Sequence, residues 1–398
     1  MKDKDLALRI CLLFCLLSFQ SLADDELSYS GFGRVILGSV ISEKDQLLGY
    51  KNALQLQNNS LLGLQLNYQA TDALSFTSQF VADSQPAKST LAWLYLNYQL
   101  SDTWQFKLGK LNTPFFHYSD VLDVGFAYSW VLPPDEVYAS FFFQYFQGAQ
   151  AEYTWLADEF DLQISAFAGK VDEDIQVGQS IYHAESDFFS GLILNASHDN
   201  LTIRLSHTRG DYLVAETELT PLIDAFSQAA MLSPVYADIA KQLSVNGDVN
   251  FSQLSVSYDL LQFFWQFEWT KIKHNIDILT QANAYYLMAG YHYDKYTFHL
   301  TFSERTSEYQ SEMKQAPLTS GNPQLDFIAQ QYNVLSNQRP VSNARSLTLG
   351  VRYDVNYQVA LKADIRLTQG QPNIGLPTME NTFDGSATLL LGGIEWVF

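Results

Sequence analysis

The sequence predicts an all-β fold, a transmembrane antiparallel β-barrel of about sixteen strands with long extracellular loops and short periplasmic turns. Apolar and polar residues alternate in segments of about ten residues, as barrel strands require. Short polar connections alternate with long ones, and the chain ends on an aromatic residue, Phe398. These three features belong together because each strand of such a barrel faces lipid on one side and the lumen on the other.

Composition and charge exclude several classes of protein. The chain has 43 acidic and 23 basic residues, a formal net charge of -20. This argues against a nucleic-acid partner, because such proteins present basic patches to phosphates. Hydrophobic residues make up 47% of the chain, too many for a disordered protein. After Phe19, no apolar run approaches the ~20 residues of a membrane helix, so we expect any membrane crossing to be made by strands.

We expect residues 1–23 to be a cleaved signal peptide. Three basic residues precede an apolar run at 10–19, and the small residue Ala23 suits a signal peptidase. Both cysteines, Cys11 and Cys15, lie in this segment. The exported chain is therefore expected to have no disulfide, no cysteine nucleophile and no cysteine-rich metal site.

The alternating segments predict that residues 24–398 form a single barrel domain. In Leu261–Trp269, Leu, Phe and Trp occupy every second position, and the face between them is largely polar. Tyr357–Leu367 repeats the pattern with three charges on its polar face. Strands are expected to begin near Leu27, Leu62, Ala73, Leu91, Thr103, Ala149, Phe160, Phe188, Leu201, Phe251, Leu261, Ala284, Tyr296, Arg345, Tyr357 and Gly385.

The connections distinguish a membrane barrel from a soluble sandwich. Tight turns are expected near residues 71–72, 101–102, 157–158, 199–200, 259, 294–295 and 354–356. Long segments are expected between them, at 110–140, 170–187, 210–248 and 305–344. Tyrosines such as Tyr95, Tyr98 and Tyr357 lie near strand ends, where a membrane barrel has its aromatic girdles.

The last strand provides the most specific local signal. Leu390, Ile394, Trp396 and the terminal Phe398 occupy alternate sites on one face. The pattern resembles the C-terminal recognition strand of bacterial outer-membrane barrels. That resemblance makes these four residues the candidate barrel-assembly signal and the barrel-assembly machinery an expected partner.

Taken over the exported chain, these features resemble the Gram-negative general porin superfamily. Residues 106–114, FKLGKLNTP, resemble the porin strand that carries a glycine and then a proline as it enters the third, inward-folded loop. The family's proline-glutamate-phenylalanine-glycine motif is replaced here by 133–138, PPDEVY.

The resemblance implies a location in the outer membrane and an open, water-filled channel for passive diffusion of small polar solutes and ions. It also implies a homotrimer in contact with outer-membrane lipid and lipopolysaccharide, and a third loop at 110–140 that constricts the lumen. No enzyme activity, cofactor, metal site or nucleic-acid partner is expected.

The polar faces supply candidate channel residues. The basic ones are Arg34, Lys107, Arg204, Arg352, Lys362 and Arg366. The candidate loop acids are Asp120, Asp123, Asp135 and Glu136. Because the last strands of a closed barrel adjoin the first, four of the basic residues are expected on one wall. Facing the acidic loop, this wall would create a transverse field that orients polar solutes; the alternative is that the charges are solvated in a wide lumen or pair locally.

Three other functions stay open. A channel selective for carbohydrate or anions could use the aromatic residues of the third loop, among them Phe115, Phe116, Tyr128 and Trp130, to stack on sugar rings. A barrel enzyme of protease or phospholipase type could use the scattered histidines, although none lies in a recognisable catalytic motif. These are His183, His198, His207, His274, His292 and His299. A surface receptor could use the acidic outer loops.

Overall fold

The computed structural model describes residues 26–41, 46–56, 59–84, 89–139, 143–157, 160–177, 180–339, 341–371 and 385–398. The expected signal peptide, residues 1–23, lies outside the described residues.

Antiparallel strands form a closed barrel. The strands are β1 Leu27–Val40, β2 Gln55–Leu56, β3 Leu61–Thr71, β4 Leu74–Asp83, β5 Thr90–Gln99, β6 Trp104–Asn112, β7 Tyr145–Leu156, β8 Asp161–Val177, β9 Ser180–His198, β10 Leu201–Val214, β11 Val245–Asp259, β12 Phe263–His274, β13 Thr280–Tyr293, β14 Tyr296–Tyr309, β15 Ala344–Asp354, β16 Val359–Gly370 and β17 Gly385–Val397. β1 pairs with β3 on one side and with β17 on the other, which closes the sheet. The short β2 only extends the pairing of β1. The predicted sixteen-strand barrel is confirmed, with β2 as one extra strand.

The connections at the two ends of the barrel differ in length. The short turns fall where the sequence predicts them, between β3 and β4, β5 and β6, β7 and β8, β9 and β10, β11 and β12, β13 and β14, and β15 and β16. The prediction of a loop at 170–187 is wrong. β8 continues to Val177 and β9 begins at Ser180, with Asp172 paired to Glu185. Val171, Ile175, Tyr182 and Ala184 are buried on the inner face there, but the acidic residues between them obscure this alternation in the sequence.

The two faces of the wall have opposite character. On β16, Leu361, Ile365 and Leu367 are exposed on the outer face, whereas Lys362 and Arg366 are buried on the inner face. This matches a strand between lipid and lumen. Near the short turns, the outer face carries exposed aromatic residues, including Tyr68, Tyr98, Trp104, Trp155, Tyr293, Tyr296 and Tyr357.

Tyr95 departs from the predicted girdle. It pairs with Gly109 of β6 and lies on the inner face, packed against the interior cluster. Its neighbour Tyr98 lies on the outer face and is exposed. The odd spacing of the two tyrosines places them on opposite faces of one strand, since side chains alternate.

Helices occupy the long connections. They are α1 Asp135–Tyr138, α2 Thr220–Ala229, α3 Pro234–Leu243 and α4 Pro323–Asn337. Each of the last two begins at a proline after a capping residue, Ser233 or Asn322, whose side chain accepts backbone N–H bonds. Phe226 of α2 packs on Tyr236 of α3 and Tyr332 of α4, so these three helices form one cap over the loop end. None of the helices in the described ranges is long and apolar enough to cross a membrane.

Candidate functional site

Residues 113–139, between β6 and β7, lie inside the barrel; we call them the inner segment. The segment leaves β6 at Asn112 and crosses the inner faces of β10 to β17 and of β1. Its backbone meets this wall at both ends: Arg204 of β10 donates to the Pro114 carbonyl at 2.6 Å, and Arg366 of β16 donates to the Leu132 carbonyl at 2.7 Å. The wall therefore holds the segment along its length.

Apolar packing holds both halves of the inner segment. Phe115 is 1% exposed and contacts Phe251 of β11 and Phe189 of the adjoining β9 at ring distances of 5.0 and 5.6 Å. Trp130 is fully buried, packs edge-on against Tyr286, and donates its indole N–H to Thr301 at 2.8 Å. These aromatic rings face the wall and not an open lumen, so they are not placed to stack on a passing sugar.

Lys362 of β16 is the centre of the polar anchorage. Its ammonium group donates to the backbone carbonyls of Gly125, Tyr128 and Trp130 at 2.7, 2.6 and 2.9 Å. It also forms an ion pair with Glu395 of β17, and both side chains are completely buried. Gly125 rests directly on the Glu395 carboxylate, where a Cβ atom would overlap it. The position therefore requires glycine for close approach.

Three arginines on neighbouring strands extend this anchorage. Arg366 donates to Asp135 at 2.6 Å, and Arg352 donates to the carbonyls of Phe126 and Tyr128 at 2.6 and 3.2 Å. Arg34 of β1 donates to the Tyr128 hydroxyl at 2.9 Å.

The predicted cluster of Arg34, Arg352, Lys362 and Arg366 is thus brought together by the structure, but beneath the segment and bonded to it. Arg204 serves the other end of the segment. Lys107 lies apart, half-buried on β6 with its ammonium 5.8 Å from the Tyr95 ring.

The predicted loop acids have four different environments. Asp135 contacts Arg366 directly, and Glu136 is buried and accepts from Ser303 at 2.8 Å and from Ser346. Asp123 accepts from Tyr145 at 3.4 Å, and Asp120 is exposed. This arrangement differs from the expected one, in which a basic wall faces the acids across a gap, because direct contact removes that gap.

Two further acids hold the segment, Asp364 and Glu268, and neither was among the candidate residues. His299 of β14 lies 3.3 Å from Asp364 of β16, and the other Asp364 oxygen accepts the Val131 N–H at 2.8 Å. Gly350 of β15 lies between their strands, and a Cβ atom there would overlap both side chains.

Glu268 of β12 is fully buried and accepts from the His117 backbone N–H at 2.7 Å and the Tyr138 hydroxyl at 2.6 Å. In the sequence, the feature that could have identified Glu268 and Asp364 is an acidic residue on the polar face of a strand.

Burial shifts the pKa of several groups of the segment, among them His117 and Asp135. It lowers the pKa of His117 to about 4, with the nearby Arg204 acting in the same direction, so the imidazole is neutral at pH 7. Burial and the adjacent Glu136 raise the pKa of Asp135 to about 7, against the opposing effect of Arg366.

The opposite wall, formed by β3 to β9, differs in accessibility. Under the segment, inner-face polar residues of β11 to β17 are nearly inaccessible, including Ser255, Gln266, Thr301, Ser303, Ser346, Thr348 and Thr368. On β3 to β9, most inner-face polar residues are half-buried or exposed, including Gln65, Asn67, Asn97, Gln99, Gln105, Gln150, Glu152, Gln163 and Asn195. The polar surface that water can reach is therefore on this side of the barrel.

Solved structures of outer-membrane proteins share this barrel. The anion-selective porin from Comamonas acidovorans is 13% identical over 94% of this chain and 99% of its own, with a TM-score of 0.55. OmpF of Salmonella typhi, in complex with daunomycin, is 10% identical over 95% and 100%, with a TM-score of 0.55. The chain has a porin-like outer-membrane β-barrel fold. The trimer form of in-vitro folded OmpT from Vibrio cholerae is 12% identical over 94% and 99%, with a TM-score of 0.52. No family model and no curated protein matches the sequence.

In this porin-like barrel, the candidate assembly signal lies on the outer face of β17. Leu390, Ile394 and Phe398 are exposed there, and Trp396 is half-buried. Phe398 also exchanges two backbone hydrogen bonds of 2.9 Å with Gly31 of β1. The terminal residue therefore helps to close the barrel. Across the described ranges, no group of three or more His, Asp or Glu side chains is arranged to hold a metal ion.

Proposed function

We propose that the protein is an outer-membrane porin, a water-filled channel through which small polar solutes and ions diffuse. One observation carries the proposal: the inner segment covers the inner face of β10 to β1, while the polar half of the inner face of β3 to β9, nearest the short turns, stays accessible. A barrel of sixteen strands is wide enough for an aqueous channel. The fold shared with porins supports the same function.

In this proposal, the inner segment is the constriction, and the basic residues act as its anchors. Each cationic group that donates to buried backbone carbonyls fixes the segment against the wall, because charge-assisted hydrogen bonds are roughly twice as strong as neutral ones. The channel then runs between the outer edge of the segment and the wall of β3 to β9. Selectivity depends on this gap and not on a field across it.

The proposal includes export by a signal peptide at residues 1–23, residence in the outer membrane of a Gram-negative bacterium, and contact there with lipid and lipopolysaccharide. The barrel-assembly machinery would insert the chain by its last strand. The trimer form of OmpT supports a homotrimer by analogy of fold.

No enzymatic function is proposed. A histidine ring contacts a serine hydroxyl at two places among the described residues: His207 and Ser252 lie 2.9 Å apart at an exposed position, and His117 and Ser255 lie 3.1 Å apart inside the barrel. Ser255 is only 1% exposed, and a nucleophile must reach its substrate. This burial supports a channel over a serine hydrolase at that place.

The test is single-channel recording of the refolded protein in a planar bilayer. Stable, ohmic openings in regular steps are expected. A folded barrel, verified by its heat-modifiable mobility on gels, that never conducts would overturn the proposal.

A variant with residues 116–137 replaced by a short Gly-Ser linker tests the role of the inner segment. Its conductance should rise, and its reversal potential in a salt gradient should shift towards anions, because Arg34, Arg352, Lys362 and Arg366 become exposed to the lumen. Unchanged conductance and selectivity would contradict the assignment of the segment as the constriction.

A further inference from the structure

The accessible wall of the barrel is lined by carboxamides. Its inner-face amides are Gln65, Asn67, Gln69, Gln79, Asn97, Gln99, Gln105, Gln150, Gln163 and Asn195. They lie in the half of β3 to β9 nearest the short turns. Among the described inner-face residues of this half, the charged ones are Lys107, Glu152 and Asp161, which are few and of mixed sign.

We call this row of amides the amide ladder; among the described residues, hydrogen bonds join its members in three separate groups, on β3 and β4, on β5 and β6, and on β8 and β9. Gln79 donates to Gln65 at 3.0 Å, and Gln65 donates to Asn67 at 3.2 Å. Gln105 donates to Gln99 at 3.3 Å, and Asn195 donates to Gln163 at 2.9 Å. These bonds fix the direction in which each amide points its N–H and C=O groups. A carboxamide has two donors and two acceptor lone pairs, so a single contact in the ladder leaves capacity for a solute.

Asn97 has such capacity at a defined atom. Its amide nitrogen donates to Ser75 at 3.4 Å, but its Oδ1 atom is buried and has no hydrogen-bond partner among the described residues. A buried acceptor without a partner is uncommon and calls for a donor from water or a ligand. Asn97 lies two residues after Tyr95, which packs beside Trp93 with ring centroids 6.2 Å apart. An aromatic pair therefore adjoins the amide ladder.

We infer that the channel is built for neutral, hydroxyl-rich solutes, that is, polyols and short saccharides. The inference rests on the proposed channel function and names its solute class. Hydroxyl groups both donate and accept, as carboxamides do, so each can replace a water contact with a wall contact. A charged solute gains little net counter-charge from this wall, whose few charges have mixed sign, and it loses part of its hydration near the wall. The half-buried Trp93 and Tyr95 offer an apolar face to the C–H side of a sugar ring.

The positions of the charged residues explain why the amide-lined wall of β3 to β9, and not the wall beneath the inner segment, sets the preference for neutral solutes. Arg34, Arg352, Lys362 and Arg366 donate to the inner segment and are covered by it. Their charges are compensated by Asp135, Asp354, Glu395 and backbone carbonyls at contact distance. They therefore exert less force on a solute than free lumen charges would.

Proteoliposome swelling tests the inference with three probes of similar size: glucose, the anion gluconate and the cation glucosamine. Glucose should enter faster than both by roughly three- to tenfold, because only the ions lose hydration with little net counter-charge to replace it. Entry of either ion at the rate of glucose or faster would overturn the inference. If no probe enters and bilayers show no conductance, the proposed channel function fails instead.

Isosteric variants test the wall itself. Gln99→Glu with Gln150→Glu places two carboxylates on the half-buried ladder, and should raise the entry rate of glucosamine relative to glucose. Gln262→Glu makes the same chemical change at an exposed position in a short turn, and should leave the ratio unchanged. An unaltered ratio in the double variant, with normal folding by heat-modifiable mobility, would refute the role of the ladder.

Discussion

Replacing Lys362 by methionine removes the central anchor of the inner segment while keeping a chain of similar length. The variant loses three hydrogen bonds from the ammonium group to the carbonyls of Gly125, Tyr128 and Trp130. It also leaves Glu395 in a completely buried position without its ion-pair partner. We expect the segment to detach locally from the wall at this point.

The free-energy cost of Lys362→Met follows from the burial of the Lys362–Glu395 ion pair. Removing one partner of a buried ion pair costs about 3–5 kcal/mol, because the remaining charge is uncompensated. At 1.4 kcal/mol per tenfold change, this raises the detached population by roughly 10² to 10⁴. The lost carbonyl bonds act in the same direction, but they are not added separately because they form one network with the pair.

Two measurements follow from this value. The thermal midpoint of the barrel in detergent should fall, and single-channel records should show more noise and partial closures as the detached segment moves into the lumen. Lys362→Met with Glu395→Gln should recover part of the stability, because the uncompensated charge is gone. Lys273→Met, at an exposed lysine, is the matched control. A variant Lys362→Met with wild-type stability and quiet openings would refute the anchoring role.

Three further outcomes are expected. Gly125→Ala should lower the thermal midpoint, because the added Cβ atom displaces the segment from Glu395. Gly385→Ala should not lower it, because its Cβ atom would meet nothing within 4 Å. Equal midpoints for the two variants would count against the close contact at Gly125. The raised pKa of Asp135 means that the folded state holds the carboxyl proton up to about pH 7, so the contribution of Asp135 to stability is greatest below its unfolded pKa and declines as pH rises through 7. Asp135→Asn should remove this pH dependence of the thermal midpoint. If the variant and the wild type have identical pH profiles, Asp135 does not cause the dependence. Phe398→Ala should reduce the amount of barrel assembled in cells while the refolded protein keeps its thermal midpoint, since the two backbone bonds to Gly31 stay; normal assembly would exclude Phe398 from the assembly signal.

The strands could be predicted from the sequence because their signal is local. In β12 and β16, alternate residues face the outside and the inside of the barrel, so a few neighbours in the chain define the element and its orientation. The same alternation identified Lys362 and Arg366 as inner-face residues. It failed at the loop ends of β8 and β9, where the acidic residues 172–174 and Glu185 obscure the buried apolar residues Val171, Ile175 and Ala184 of the inner face.

The anchorage of the inner segment could not be predicted in the same way. Lys362 binds carbonyls of residues more than 230 positions away in the chain, and backbone carbonyls have no sequence signature. The acids that complete the network, Glu268 and Glu395, are ordinary polar-face residues until the segment covers them. His117 follows two phenylalanines without any motif, and only its position inside the barrel gives it partners.

The most direct test of an accessible wall opposite a covered one uses single cysteines. Both native cysteines lie in residues 1–23, so the exported chain is expected to supply none of its own. Gln150→Cys lies on the accessible wall, and Ser303→Cys lies beneath the inner segment, where Ser303 bonds to Glu136. A cationic thiol reagent added during single-channel recording should lower the conductance of Gln150→Cys in discrete steps and leave Ser303→Cys unchanged. Block of Ser303→Cys with no effect on Gln150→Cys would contradict the location of the channel.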